Sequence, residues 1–413
     1  MKIEKVLTCP CLSGYYNKDL QAIKAGAVPD GFIFSDPPVT AGFDAITQPG
    51  EALSVMLVLD DGQVAFGDCI DVIFAGAAGR DPLFKAAAQQ AILMDHVADF
   101  LRGKPIERFR DLAESINEIR VNGRRLHTAL RYGVTQAILD AVAKVHHLTM
   151  AEIIATEYGC RIAEQPIPLL ACTTNQEVNN VDKMILKKVP YLPHGSSSNM
   201  ARDFGQNGEK LLDYIRWLVQ RIKKIREPDY CPTIALDIYG ILGEAFALDI
   251  PKISDFIGIM RDACLPFALV LETPLIADTR DKQIALFAAL KEALRNSSID
   301  VKLVVDEWCN TLADVRAFAD AVAADAIHVK IPDLGGINHA IEALLLCKRK
   351  GVGAYAGGTV NGTDQSARIS THIALATQAD MFLSKPGQGV DEGLMIASNE
   401  MKRTLALIRS RNQ

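Results

Sequence analysis

The chain has 413 residues, 49% of them hydrophobic and 23% charged, with a net charge of −6. That length exceeds one ordinary core and suits two domains, or a barrel of about 250 residues with a further domain attached. The composition is that of a globular protein; it excludes a basic nucleic-acid surface, and no run of roughly eighteen apolar residues marks a membrane span. The opening "MKIEKVLTCPCLSGYYNKDL" lacks the apolar core of a signal peptide, and the nine scattered cysteines read as reduced thiols without zinc spacing, so a cytoplasmic location is expected.

In chain order, "EALSVMLVLDDGQVAFGDC" predicts two strands, Ser54–Leu59 and Gln63–Gly67, around the turn Asp60-Asp61-Gly62. Helical patterns follow in "PLFKAAAQQAILMDHVADFLRG" and "LHTALRYGVTQAILDAVAKVHHL". This first part reads as α+β up to about residue 165, where "EQPIPLL" breaks the pattern. Beyond it, short apolar strands alternate with helices: "IPLLACT", "PTIALDIYG", "PFALVLETP", "VKLVVDEWCN", "DAIHVKIPDLGG" and "GAYAGGTV". Such alternation means a parallel sheet in an α/β fold, and its length favours a closed barrel. A doubly wound sheet is the alternative, but "PDLGGIN" lacks the glycine spacing of a phosphate loop. After about Thr404 a helix and a frayed tail are expected.

Three predicted strands end in an acid: Asp237 in "TIALD", Glu272 in "ALVLE" and Asp306 in "KLVVD", at intervals of 35 and 34 residues. One βα unit separates each pair, so the three carboxylates are expected at one level of a barrel rim. Acids are also common at strand ends as turn formers and caps. Three together repel unless they share a cation, and an all-oxygen set suits Mg²⁺, with Mn²⁺ as a substitute. Glu307, next to Asp306, faces the other way and should meet a cation or a helix end.

The next strand ends in Lys330, with His328 two residues earlier on the same face. A lysine beside a bound cation is expected to have a lowered pKa and to serve as a base; the plainer reading is a lysine paired with a rim carboxylate. His328 reads as a packed barrel residue or an orienting donor. His194, ending "VPYLPHG", would face Lys330 across a closed barrel, or be a loop histidine. Metal, lysine and histidine together suit removal of a proton beside a carboxylate, where fixed positive charge does most of the catalysis.

Whole-chain, collinear motifs carry a resemblance: "LVLDDGQVAFGDC", "GRDPLF", "VDKMILK", "LPH", "NGEKLLDYIRWL", "DEWCNT", "PDLGGI", "GGT", "SAR" and "KPGQGVDEG". They are similar to the methylaspartate ammonia-lyase family of the enolase superfamily. The resemblance implies a modified TIM-type (β/α) barrel at 166–413 behind an N-terminal α+β capping domain at 1–165. It implies metal ligation by Asp237, Glu272 and Asp306, with Lys330 as the base on C3 of 3-methylaspartate and His194 serving the opposite face. It further implies loss of ammonia to give mesaconate, a place in amino-acid (glutamate) degradation, a monovalent cation such as K⁺, and a homodimer with a small carboxylate as its partner molecule. Adjacent Lys187 and Lys188 cannot both face the pocket, so the Lys-x-Lys pair of other superfamily members is absent.

Substrate-holding positions depart from the family pattern. Ile73, Cys172 and His328 stand where glutamines are expected, and Val360 where a cysteine is expected; Thr359 is kept. Each hydrogen bond lost to a charged group costs about 1.5–3 kcal/mol. A related acid with a larger or less polar substituent is therefore one expectation, and a rebuilt site for the same substrate the other. Two rival readings remain at this level: dehydration, cycloisomerisation or epimerisation of another carboxylate, and a non-catalytic metal-binding barrel.

Overall fold

The computed structural model describes every residue except 78, 412 and 413. The chain opens with an antiparallel sheet of three strands, β1 (Ile3–Lys18), β2 (Thr47–Leu59) and β3 (Val64–Cys69), in the order β1-β2-β3. Strands β2 and β3 overlap the two predicted strands, β2 starting earlier at Thr47 and β3 running on to Cys69, and Gly62 (φ 87°) supplies the left-handed residue of their turn. Strand β1 escapes sequence reasoning because it is a sheet edge: Cys9, Cys11 and Leu12 are exposed, so no apolar alternation marks it.

Helix Thr128–Val145 is buried along most of its length. Its close approach to the sheet depends on two glycines: a Cβ on Gly67 would lie 2.2 Å from the Gly133 carbonyl oxygen, and one on Gly133 would lie 2.4 Å from the Cys69 amide. The first predicted helical stretch is broken differently, into Ala86–Ile92, a π-helical turn Leu93–Ala98 and Asp99–Leu101. The last helix runs Glu392–Arg411, so Thr404 lies inside it, and the expected tail falls on 412 and 413, outside the described residues.

Eight parallel strands then close a barrel: β4 (Leu169–Leu170), β5 (Tyr191–His194), β6 (Thr233–Asp237), β7 (Leu269–Glu272), β8 (Lys302–Val305), β9 (Ala326–Lys330), β10 (Gly353–Gly357) and β11 (Met381–Leu383). Neighbours in sequence are neighbours in the ring, and β11 pairs with β4 to close it. Strand alternation sends one set of side chains outward to the surrounding helices. The other set, including Leu170, Cys172, Ala235, Val270, Val304, Tyr355, Met381 and Leu383, packs inside as a separate apolar cluster. That cluster is the floor on which the polar rim stands.

The capping sheet and helices are fastened to the rim by polar contacts. Asn117 Oδ1 accepts from the Gly336 amide at 3.2 Å and Thr135 Oγ1 from the Ile337 amide at 3.0 Å. These bonds satisfy amides at the start of helix Ile337–Lys350, which would otherwise be orphaned. "PDLGGIN" is thus a docking turn, and the absence of phosphate-loop spacing has a structural reason. No helix among the described residues is long and apolar enough to cross a membrane.

Candidate active site

Asp237 and Glu272 are the last residues of β6 and β7, and Asp306 follows β8. All three are buried, at 2%, 4% and 3% exposure. They are not at one register level. Asp237 pairs with Glu272, but Glu272 pairs with Val304, so Asp306 stands two residues further along. Convergence survives because the side chains turn inward. Ligand atoms of His194, Asp237 and Glu272 lie within 4.8 Å of one another, as do those of Glu272, Asp306 and His328.

Lys330 ends β9, and its Nζ donates to Asp306 Oδ2. His194 ends β5, four strands from β9 in a ring of eight, and so faces Lys330 across the barrel. Its backbone sits in the left-handed region (φ 67°), which costs about 1–2 kcal/mol in a residue with a Cβ. Its Nε2 is 3.8 Å from both Asp237 Oδ2 and Glu272 Oε2, and its Nδ1 is 3.1 Å from Ser196 Oγ.

Electrostatics explain what the cluster lacks. Burial, and then the neighbouring Glu272 carboxylate, push Asp237 well above the carboxylate range. Burial would raise Asp306 too, but Lys330, His328 and Arg80 outweigh it and hold that carboxyl down. Burial would lower Lys330, yet the Asp306 carboxylate overrides it and raises the lysine. The lowered lysine pKa expected from the sequence is therefore not what these side chains produce by themselves. Three buried carboxylates crowd together with one lysine ammonium in contact, so a divalent cation would relieve the repulsion that raises Asp237. The residues present fit Mg²⁺ at Asp237, Glu272 and Asp306.

Glu307 meets the cation expected for it. Arg80, from the loop before helix Ala86–Ile92, bonds Asp333 Oδ2 at 2.9 Å and lies 3.8 Å from Glu307 Oε2, with all three side chains largely buried. Sequence reasoning missed Arg80 because a loop residue has no periodicity; its only signal was the motif "GRDPLF". Lys187 and Lys188 point elsewhere, to Asp391 and Glu227.

The positions assigned to the substrate surround the rim. His328 is 2% exposed, its Nδ1 2.7 Å from Glu272 Oε1, its ring stacked on Tyr355 at 4.0 Å between centroids. A Cβ on Gly357 would lie 2.0 Å from His328 Nε2, so the histidine occupies space that only glycine leaves free. Ile73 precedes Phe74, whose ring contacts Tyr239 just past Asp237 at 6.5 Å. Thr359 Oγ1 accepts from the Asn361 amide, and the Val360 carbonyl from the Gly387 amide. The sheet end closes over this mouth: the Gly14 amide donates to the Asn361 carbonyl at 3.2 Å and Gln388 Nε2 to Tyr15 Oη at 3.0 Å.

Cys172 lies in the barrel interior, close enough to His194 and Lys385 to feel their charge. Burial would raise its pKa, but Lys385 and His194 outweigh burial and hold the thiol down at about 6. The same contact lifts His194 to about 9, against burial, with Cys172 ahead of Asp237 and Glu272 as the cause. A thiolate here forms as pH rises through about 6. Thiolate ultraviolet absorbance that is missing from Cys172→Ser should therefore appear well below the ordinary cysteine value of about 8.5. Absorbance that appears only around that ordinary value would mean the pairing is absent.

A cavity of about 550 Å³ opens at the opposite mouth of the barrel, beside Tyr191, Lys302, Asp325, Lys348 and Asp380. Its acids are already paired, Asp325 with Lys291 and Asp380 with Lys348, so it has no chemistry to match the carboxylate rim.

Comparison with known proteins gives the same picture. A family model described as the methylaspartate ammonia-lyase N-terminus matches residues 1–159, and one described as its C-terminus matches residues 161–410. The methylaspartate ammonia-lyase of Clostridium tetanomorphum is 46% identical over 412 residues, covering 100% of both chains. The structure of that organism's β-methylaspartase, a Mg complex, superposes with a TM-score of 0.95 over 100% of both chains. The Citrobacter amalonaticus enzyme containing (2S,3S)-3-methylaspartic acid is 41% identical, with a TM-score of 0.97 over 99% of this chain and 100% of that one. Muconate lactonizing enzyme from Pseudomonas putida, 16% identical with a TM-score of 0.60 over 91% of this chain and 85% of that one, shares the fold.

Proposed function

The chain belongs to the methylaspartate ammonia-lyase family, and from that premise we propose how its own residues eliminate ammonia from 3-methylaspartate or a closely related amino acid. It is a Mg-dependent carbon–nitrogen lyase. The observation that carries the residue assignment is that Glu272 is shared by two buried clusters, one with Asp237 and His194 and one with Asp306 and His328, with Lys330 bonded to Asp306 and His194 opposite it. Asp237, Glu272 and Asp306 hold the cation. When bound, Mg²⁺ supplies positive charge to offset the extra negative charge a carboxylate gains when its neighbouring carbon loses a proton.

Lys330 Nζ, as the neutral amine, takes the proton from C3 of the natural diastereomer, which requires that the cation and not the lysine offset the charge of Asp306 when the site is filled. The electron pair left behind becomes the new C2–C3 double bond as the C2–N bond breaks and ammonia leaves. His194 serves the other face and otherwise bonds the substrate carboxylate. Ile73, Cys172, His328, Thr359 and Val360 shape the rest of the pocket. Apolar Ile73 and Val360 support a substrate with a less polar substituent at that end.

The division at 1–165 and 166–413 belongs to the same reading, supported by the gap between the helix ending at Tyr158 and the strand starting at Leu169. So do a homodimer, a cytoplasmic location, a monovalent cation and a place in amino-acid (glutamate) degradation.

The test is ammonia and mesaconate formation from L-threo-3-methylaspartate with Mg²⁺. Turnover supports the reading. Metal binding without ammonia release from this or any substituted aspartate would remove it.

A further inference from the structure

Cys9 and Cys11 are free, exposed thiols on strand β1, the outer edge of the capping sheet. The register of β1 against β2 is unbroken from the Lys5–Val58 pair to the Leu12–Glu51 pair, with Cys9 opposite Ser54 and Cys11 opposite Ala52. Regular pairing means strict alternation, so the two thiols leave the strand on one face. They are near enough in space for Cys9 to raise the pKa of Cys11, second to burial among the causes. Ser54 is in turn opposite Asp68 on β3, so the Asp68 carboxylate belongs to the same face, and it adds to the rise at Cys11. Asp68 is held in place from the barrel side, where it accepts from the hydroxyl of Thr363, the cap of helix Asp364–Thr377.

Three fates are open to such a pair: a disulfide, a reactive thiolate or a bridged cation. Two residues along a strand advance about 6.6 Å. The Cβ atoms therefore stand roughly 2 Å farther apart than the span of about 3.5–4.5 Å that a disulfide allows. A reactive thiolate needs a lowered pKa and a positive neighbour, whereas Cys11 is raised and its charged neighbour is an acid. A cation meets neither obstacle. Held about 2.3 Å from each sulfur, it spreads the pair to about 4.6 Å, which takes up the length a disulfide lacks. Its charge also suits the Asp68 carboxylate.

The ligand count selects the ion. Neither cysteine belongs to a group of three His, Cys, Asp or Glu ligands among the described residues, so a four-coordinate zinc site is not assembled here. Two thiolates without nitrogen or oxygen partners favour a soft ion that accepts low coordination, and Cu(I) is that ion. We propose that Cys9 and Cys11 bind one Cu(I) as a two-sulfur bridge on the edge of the capping sheet. Each thiol gives up its proton and each sulfur donates an electron pair to the metal; nothing is oxidised or reduced. The site shares no residue with the carboxylate rim and stands apart from the reaction there.

The experiment titrates full-length protein with Cu(I) under anaerobic conditions, in competition with a chromogenic Cu(I) chelator. The parent is compared with Cys9→Ser, with Cys11→Ser, and with Cys231→Ser, which removes the remaining exposed cysteine. The parent and Cys231→Ser should take up one Cu(I) with equal affinity, and X-ray absorption should show two sulfur neighbours. Cys9→Ser and Cys11→Ser should each bind at least about 100-fold more weakly, beyond the loss typical of an outer partner of a metal ligand. Uptake undiminished in either variant, or a metal with other than two sulfur neighbours, would overturn the proposal. So would complete closure of a Cys9–Cys11 disulfide in the parent by glutathione disulfide, read as the loss of two hydrogens from the peptide that holds both. Both serines replace exposed thiols, and the disulfide measurement on the parent needs no variant to fold.

Discussion

Lys330→Ala should lower ammonia release from 3-methylaspartate about 10³-fold and abolish solvent-deuterium exchange at C3, while Mg²⁺ binds at least as tightly as before. The first effect follows from the position of Nζ, which is in contact with a carboxylate of the metal set. The second follows from the same contact. Lys330 holds Asp306 low by opposing its negative charge, and its removal leaves that carboxylate fully available to a cation. A merely structural lysine would behave otherwise: its loss would leave deuterium exchange at C3 in place. Kinetics of ammonia release, deuterium exchange and calorimetric Mg²⁺ titration separate the two. Exchange at C3 that persists in the variant would reassign the base.

The metal set makes the other large prediction. Asp237→Asn should weaken Mg²⁺ binding at least about 100-fold, beyond the 10- to 100-fold typical of losing an outer partner of a metal ligand. Burial and Glu272 raise Asp237, so without a cation the folded protein holds a proton there that the unfolded chain has released. Its stability therefore falls as pH rises through that raised pKa, and is recovered in acid. Mg²⁺ reverses the balance by displacing the proton. Calorimetry in buffers of different ionisation enthalpy should show proton release on Mg²⁺ binding by the parent and none by Asp237→Asn. In chelator, the drop of the parent's melting temperature toward alkaline pH should exceed that of the asparagine variant, which lacks the Asp237 contribution. Mg²⁺ uptake without proton release would mean that Asp237 is already ionised and that its charge is met by another group.

How far the sequence could be read depended on whether a residue lay on a regular element. Asp237, Glu272 and Lys330 were legible because each closes an apolar strand, and Asp306 because it follows one. The level of Asp306 was not legible, since the two-residue step between β7 and β8 is a property of barrel closure, not of either strand. Arg80, Asn117 and Thr135 gave no signal that they bridge to the rim; their partners Asp333, Gly336 and Ile337 are more than two hundred residues away in sequence. The direction of the Lys330 shift in the cation-free cluster was not legible for a related reason. Burial was foreseeable, but which neighbour would outweigh it depended on the geometry of Asp306. At Cys172 the sequence could register a departure from the family, while the neighbourhood of His194 and Lys385 that lowers its pKa needed three strands brought side by side.

The fit of His328 against Gly357 has a historical side. Any side chain at 357 would collide with the imidazole, so histidine can enter at 328 only where 357 is already glycine. Once it has entered, 357 cannot change until 328 changes first. The two positions form an epistatic lock in which the order of substitution is fixed in each direction. Anyone converting this pocket to another specificity by single steps has to travel through 328 before touching 357, whatever the destination.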